Sequence, residues 1–235
     1  MLNKYVNFYF LILYCFIPIS ILIGPSVSLS NIIVIDLSFL ILLIFYRDFS
    51  FLKSPIIKYF FILYLYLILS SLISLDPEMA ANRNFGFIRI IILFIFFNYF
   101  FQKKLFFERV FIFWLIVIFV VVLDIFIESL TGKNMLGYGH KEYVGRIVSF
   151  FKDEAIVGGY LNAFYLVLTG YFLDKFGSNK KNLIFVISLL IFAAIFITGE
   201  RSNGIKSVIG LSIFFLLYKD YNLKTKLMIS FLGIF

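Results

Sequence analysis

Arg146 and Arg201 are the residues whose type and placement point most directly to chemistry. Both fall on the side of a membrane chain where the distribution of basic residues leaves few. Arginine kept beside a bilayer without a topological reason has an anion to hold, and its planar fork suits phosphate or carboxylate. Arg201 lies in Thr198-Gly199-Glu200-Arg201-Ser202-Asn203-Gly204, a tight junction between two apolar runs. Ser202 or Asn203 is expected to cap the following helix, whose positive end then faces outward beside Arg201, with Lys206 one turn deeper. Such a helix end flanked by two cations is a place for phosphate. The plainer alternative is a capped turn with an Arg–Glu pair or a snorkelling arginine.

Arg146 belongs to the longest non-apolar segment, an outer loop from about 128 to 155. Loops of that length in a compact protein are commonly functional or disordered. The loop carries His140, Lys141, Glu142, Arg146, Lys152, Asp153 and Glu154, with Gly132, Gly137, Gly139 and Gly145 permitting sharp bends. Between its charges runs Ile147-Val148-Ser149-Phe150-Phe151, expected to lie on or dip into the membrane surface; a simple solvated loop is the rival reading. Four more charges, Asp36, Arg89, Asp124 and Glu128, fall near the outer ends of apolar runs. They are expected to face a shared hydrophilic cavity, unless they only mark shorter spans. His140 with Glu142 is no metal site, since one His without Cys cannot supply three or four ligands. Gly137-Tyr138-Gly139 lacks the strand and helix of a nucleotide loop, and neither Ser149 nor Ser202 has a His–Asp pair at a readable spacing.

These residues hang on a frame that is mostly oil. Of 235 residues 63% are hydrophobic and 14% charged, against about a quarter charged in soluble domains, and mean hydropathy is +1.04. The fold class expected is all-α: a polytopic transmembrane helical bundle forming one integral membrane domain over residues 1–235. Spans are drawn at 6–24, 29–46, 58–75, 86–101, 110–127, 156–173, 183–198 and 203–218, eight in all, with a truncated ninth from Leu227. The short final run suggests the front portion of a longer protein. Pro, Gly or charge marks the connections, among them Gly24-Pro25, Asp76-Pro77 and the stretch 174–182. Strict two-residue alternation is absent, which argues against a β-barrel. Thirteen Lys and Arg fall on the N-terminal side of the membrane and eight on the other, so the N-terminus is expected in the cytoplasm. Lys4 followed by Phe8 to Ile23 resembles a signal peptide but reads better as a first span. The net charge of +8 lies mostly in short loops and implies no nucleic-acid partner. Cys15, the single cysteine, permits no intramolecular disulfide.

Two segments carry a family resemblance. Gly145-Arg146-Ile147-Val148-Ser149-Phe150-Phe151-Lys152-Asp153-Glu154 with Gly158-Gly159-Tyr160-Leu161, and Leu190 to Ile197 followed by Thr198-Gly199-Glu200-Arg201-Ser202, resemble segments of the O-antigen ligase and O-antigen polymerase family. The likeness covers about 110–235 in arrangement. It implies a multi-span, inverting, metal-independent glycosyltransferase of the bacterial inner membrane that needs no cofactor. Its donor would be an oligosaccharide or polysaccharide linked to undecaprenyl pyrophosphate. Its acceptor would be a sugar hydroxyl on lipid A–core or another glycan chain, reached among membrane lipids at the periplasmic face. Arg146 and Arg201 would hold the pyrophosphate, with Lys206 and Ser202 assisting. The family also has a His on a later outer loop, which this sequence does not reach, and His140 does not match that position. Asp124, Glu128 or Glu154 would then stand in as the base, with Glu154 and Asp124 the catalytic candidates. The rival from another class is a transporter or flippase for a lipid-linked or anionic substrate, for which broken midplane helices or repeats are expected and not found.

Overall fold

A computed structural model describes residues 4–47, 49, 54–101, 104–138, 145–152 and 154–217. His140, Lys141, Glu142, Asp153 and the run from Leu227 lie outside the described residues. Everything described is helix, turn or irregular chain, with no strand: α1 (Lys4–Ile23), α2 (Pro25–Tyr46), α3 (Pro55–Leu72), α4 (Pro77–Gly86), α5 (Ile88–Phe101), α6 (Lys104–Thr131), a 3-10 turn (Ser149–Phe151), α7 (Val157–Ile197) and α8 (Arg201–Leu217). Among the described residues, five helical stretches are long and apolar enough to cross a bilayer: α1, α2, α3, Pro77–Phe100 and Phe106–Thr131. The protein is an all-α, multi-pass membrane protein. Within its expected single membrane domain, the chain groups into two compact units, Met1–Val110 and Phe111–Phe235, and the border falls inside α6.

Proline sets the helix starts in the first unit. Pro25, Pro55 and Pro77 each open a helix, where a missing N–H costs nothing and the fixed φ is already helical. Asp76 completes the last of these starts, its Oδ1 accepting from the Met79 N–H at 3.1 Å. The second span therefore begins at Pro25, four residues before the expected 29. Asp36 consequently becomes the twelfth residue of α2, about 17 Å along it, rather than a residue near its outer end. Gly24 alone joins α1 to α2, with φ 147° and ψ 169°. The two helices pack side by side through a Tyr9 Oη–Ser38 Oγ hydrogen bond of 2.8 Å and through Asn31 Nδ2 donating to the Leu13 carbonyl at 3.3 Å. Aromatic rings fill the core of this unit: Tyr14 stacks on Phe96 at 4.4 Å, Phe96 on Phe100 at 4.3 Å, and Phe39 meets Phe96 edge-on at 5.0 Å. Asn84 of α4 ties back to α3, donating to the Leu67 carbonyl and to Ser71 Oγ.

The second unit is built around α7. All 41 of its residues are helical, yet the chain doubles back within it. Thr169 Oγ1 lies 3.3 Å from Ser188 Oγ, whereas 19 residues of straight helix would separate them by about 28 Å. Tyr165 and Ser188 are also hydrogen-bonded, and Phe172, Phe176, Leu183 and Ile184 line one apolar cleft with Leu115 of α6. The reversal therefore falls between Phe176 and Leu183, inside the expected connection at 174–182. The two helical arms on either side of it form a hairpin. Gly210 of α8 lies against this hairpin, where a Cβ would come within 2.7 Å of Leu166 Cδ1.

Candidate functional site: the loop end of the second unit

The site is assembled at the end of the unit where α6 stops, α7 starts and α7 hands over to α8. Its foundation is a pair of carboxylates one turn apart on α6, Asp124 and Glu128, 0% and 3% exposed. Residues four apart share a helix face, so both reach the same stretch of loop. Glu128 accepts from the backbone N–H groups of Val148 at 3.1 Å and Ser149 at 2.7 Å. Asp124 accepts from the Met135 N–H at 2.7 Å and from the Ser149 hydroxyl at 2.5 Å. Four donors thus replace the water that these two charges would lose on burial. Asn134 completes the framework. Its Nδ2 donates to the Ser149 carbonyl at 2.5 Å, and its Oδ1 accepts from the Leu136 and Tyr138 N–H groups.

This arrangement revises two expectations. The segment 147–151 does not lie out on a surface: Ile147, Val148 and Ser149 are buried, and Phe151 packs on Tyr160 of α7. Asp124 and Glu128 do not face an open cavity but are spent on the loop's own N–H and O–H groups. Asp124, a candidate base by sequence, is seen here in a scaffolding role. Ser149 has φ 48° and Lys152 φ 57°, positive values that non-glycine residues adopt at a cost of about 1–3 kcal/mol. At Ser149 the contacts to Glu128, Asp124 and Asn134 hold that conformation in place.

The two arginine-bearing segments meet above this foundation. The Ile147 N–H donates to the Thr198 carbonyl at 3.2 Å, so the residue after Arg146 is pinned to the junction that carries Arg201. Gly199, at φ 74°, lies so close that an added Cβ would sit 2.5 Å from the Gly145 carbonyl oxygen and 3.6 Å from Arg146 Cα. Only glycine meets both demands. Arg146, Arg201, Ser202 and Lys206 are all exposed, as is Glu154. The backbones of the two arginine-bearing segments are therefore adjacent.

Helix α8 begins at Arg201, two residues earlier than expected, so neither Ser202 nor Asn203 is the capping residue. Glu200 takes that position. Its carbonyl accepts from the N–H groups of Asn203 at 3.1 Å and Gly204 at 3.0 Å. Its carboxylate reaches across to the start of α7, accepting from the Gly158 N–H at 2.6 Å and from Asn203 Nδ2. A Cβ on Gly158 would sit 2.7 Å from Thr198 Oγ1 and 3.0 Å from Glu200 Oε1, and one on Gly159 would sit 3.2 Å from Asn203 Nδ2. Glu200, Asn134 and Gly158 are the residues that the sequence did not single out for these parts. Of them only Gly158-Gly159 left a signal, because paired glycines opening a helix are costly unless something must approach closely. Exposed Arg146, Arg201 and Lys206 thus lie on segments that adjoin at the first turn of α8, residue types suited to a polyanion. No protein-family model, curated protein or solved structure matches this chain.

Proposed function

We propose that the protein is a membrane glycosyltransferase of the O-antigen ligase or polymerase type. In this reading it lies in the bacterial inner membrane with its N-terminus in the cytoplasm. It moves a glycan from undecaprenyl pyrophosphate to a sugar hydroxyl, on lipid A–core or another chain, at the periplasmic face. One observation carries the reading: the Ile147–Thr198 hydrogen bond and the Gly199–Gly145 approach bring the Arg146 and Arg201 segments together at one end of the second unit.

The chemistry follows from that placement. The acceptor oxygen attacks the anomeric carbon from the face opposite the leaving group, and configuration inverts. The bond from that carbon to the phosphate oxygen breaks, and its electron pair goes to the departing pyrophosphate. Arg146 and Arg201 stabilise the charge developing there, with Lys206 and the Ser202 hydroxyl at its edge. The acceptor proton goes to a carboxylate, for which exposed Glu154 is better placed than buried, fully hydrogen-bonded Asp124.

Glycan transfer from a lipid-linked donor, assayed with purified protein in vesicles, tests this. Arg201→Ala should lower turnover by about 100-fold or more, the scale for losing a fixed donor to developing charge. Arg201→Lys should also be impaired, because a point charge cannot reproduce the planar fork. Wild-type turnover in Arg201→Ala would remove the assignment. Lipid flux in vesicles without any transfer would favour a transporter instead.

A further inference from the structure

Asp36 has a chemical situation unlike that of any other described carboxylate. It sits at the middle of α2, a 22-residue span, and is 4% exposed. Both of its carboxylate oxygens are buried, and neither has a hydrogen-bond partner among the described residues. Its helix neighbours Ile35 and Phe39 are fully buried, as are Tyr14 of α1 and Phe96 of α5 in the aromatic core.

Two helices packed against α2, α1 and α5, supply the groups that can act on it. From α1 the titratable group is the Tyr14 hydroxyl, itself buried. From α5 the charged group is Arg89. Its Nε donates to the Gly86 carbonyl at 3.0 Å, and its Nη2 lies where a Gly86 Cβ would come within 3.2 Å.

A buried carboxylate with no hydrogen-bond donor and no ion-pair partner among the described residues does not stay ionised; it takes up a cation. A sodium or divalent ion needs several oxygen ligands, and no cluster of three or more acidic, His or Cys side chains occurs among the described residues. A proton needs only the single carboxyl group that the described residues supply.

We propose that Asp36 is an intramembrane proton-binding site, carrying its proton in the folded protein and serving as the place where the first unit takes up or releases one. Intramembrane acids of this kind mark proton relays and coupling sites in other membrane proteins. The site is independent of the pyrophosphate reading, which concerns the other unit.

The test uses the full chain reconstituted in vesicles. Infrared spectra should show a protonated-carboxyl carbonyl band that persists at neutral pH, declines at alkaline pH and is missing in Asp36→Asn. Dicyclohexylcarbodiimide, which is apolar and requires the carboxyl proton, should modify Asp36. A peptide mass map should show the adduct falling as pH rises and unchanged by sodium chloride. The infrared band alone suffices where the reagent does not enter. Absence of that band across the pH range would overturn the proposal, and so would suppression of the adduct by sodium. Neither result depends on glycan transfer.

Discussion

Two aspartates, one in each unit, meet the membrane interior in opposite ways. Asp124 is completely buried and completely supplied, taking donors from Met135 and from Ser149 on a loop that follows it in sequence. Asp36 is almost as buried and receives nothing from the described residues. The difference teaches that depth alone does not decide the fate of an acid in a bilayer. What decides it is whether irregular chain, with spare N–H groups, can reach it. The second unit folds such chain inward around α6, whereas the first unit presents Asp36 with helices whose N–H groups are already committed to their own backbones.

That contrast can be tested at its strong end first. Glu128→Ala should strand the Val148 and Ser149 N–H groups, and Asp124→Ala the Met135 N–H and the Ser149 hydroxyl. Each should cost about 2–5 kcal/mol, since every buried donor left without an acceptor costs about 1–3. Thermal unfolding in detergent would show it, and hydrogen exchange should report loosening between 132 and 152. Stability equal to wild type would mean that the loop does not depend on these carboxylates.

A middle-sized effect is expected at the junction. Gly199→Ala combines an unfavourable φ with a collision against the Gly145 carbonyl, for a loss of about 1–3 kcal/mol. Its signature is local: faster exchange of the Ile147 amide, with the Asp124 and Glu128 contacts kept. Global loosening instead would merge the junction with the loop foundation and blur the division drawn between them.

The smallest effect belongs to the first unit. Asp36→Asn replaces a neutral acid by a neutral amide of the same shape, so stability should change by no more than about 1 kcal/mol. A loss as large as that of Asp124→Ala, measured by the same melts, would show that Asp36 has a partner and would break the comparison.

Much of the architecture was legible in the residue string. Apolar runs bounded by Pro, Gly and charge located the five described stretches able to cross, because a bilayer requires about 20 apolar residues per crossing and rejects open backbone. The backbone contact beside Arg146 and Arg201 joins two segments that the sequence groups by charge and position. The partners of Asp124 and Glu128 were hidden for a physical reason: pairing a helix carboxylate with amides 20 and 21 residues away leaves no periodic trace. Helix limits were less legible. Pro25 starts α2 before its apolar run becomes obvious, and Glu200 displaces Ser202 and Asn203 from the cap by virtue of tertiary reach to Gly158. The inward folding of Ile147 to Ser149 is invisible for the same reason, since apolar residues between charges read equally well as membrane-facing or core.

The tight reversal within α7 has a practical corollary for anyone handling the protein. Endoproteases bind their substrates as extended chain, and the Lys180-Lys181 pair lies at a tight reversal between two helical arms instead. Trypsin should therefore spare that bend in the native protein and nick it only once the hairpin has opened, making cleavage there a gauge of whether a detergent preserves the second unit.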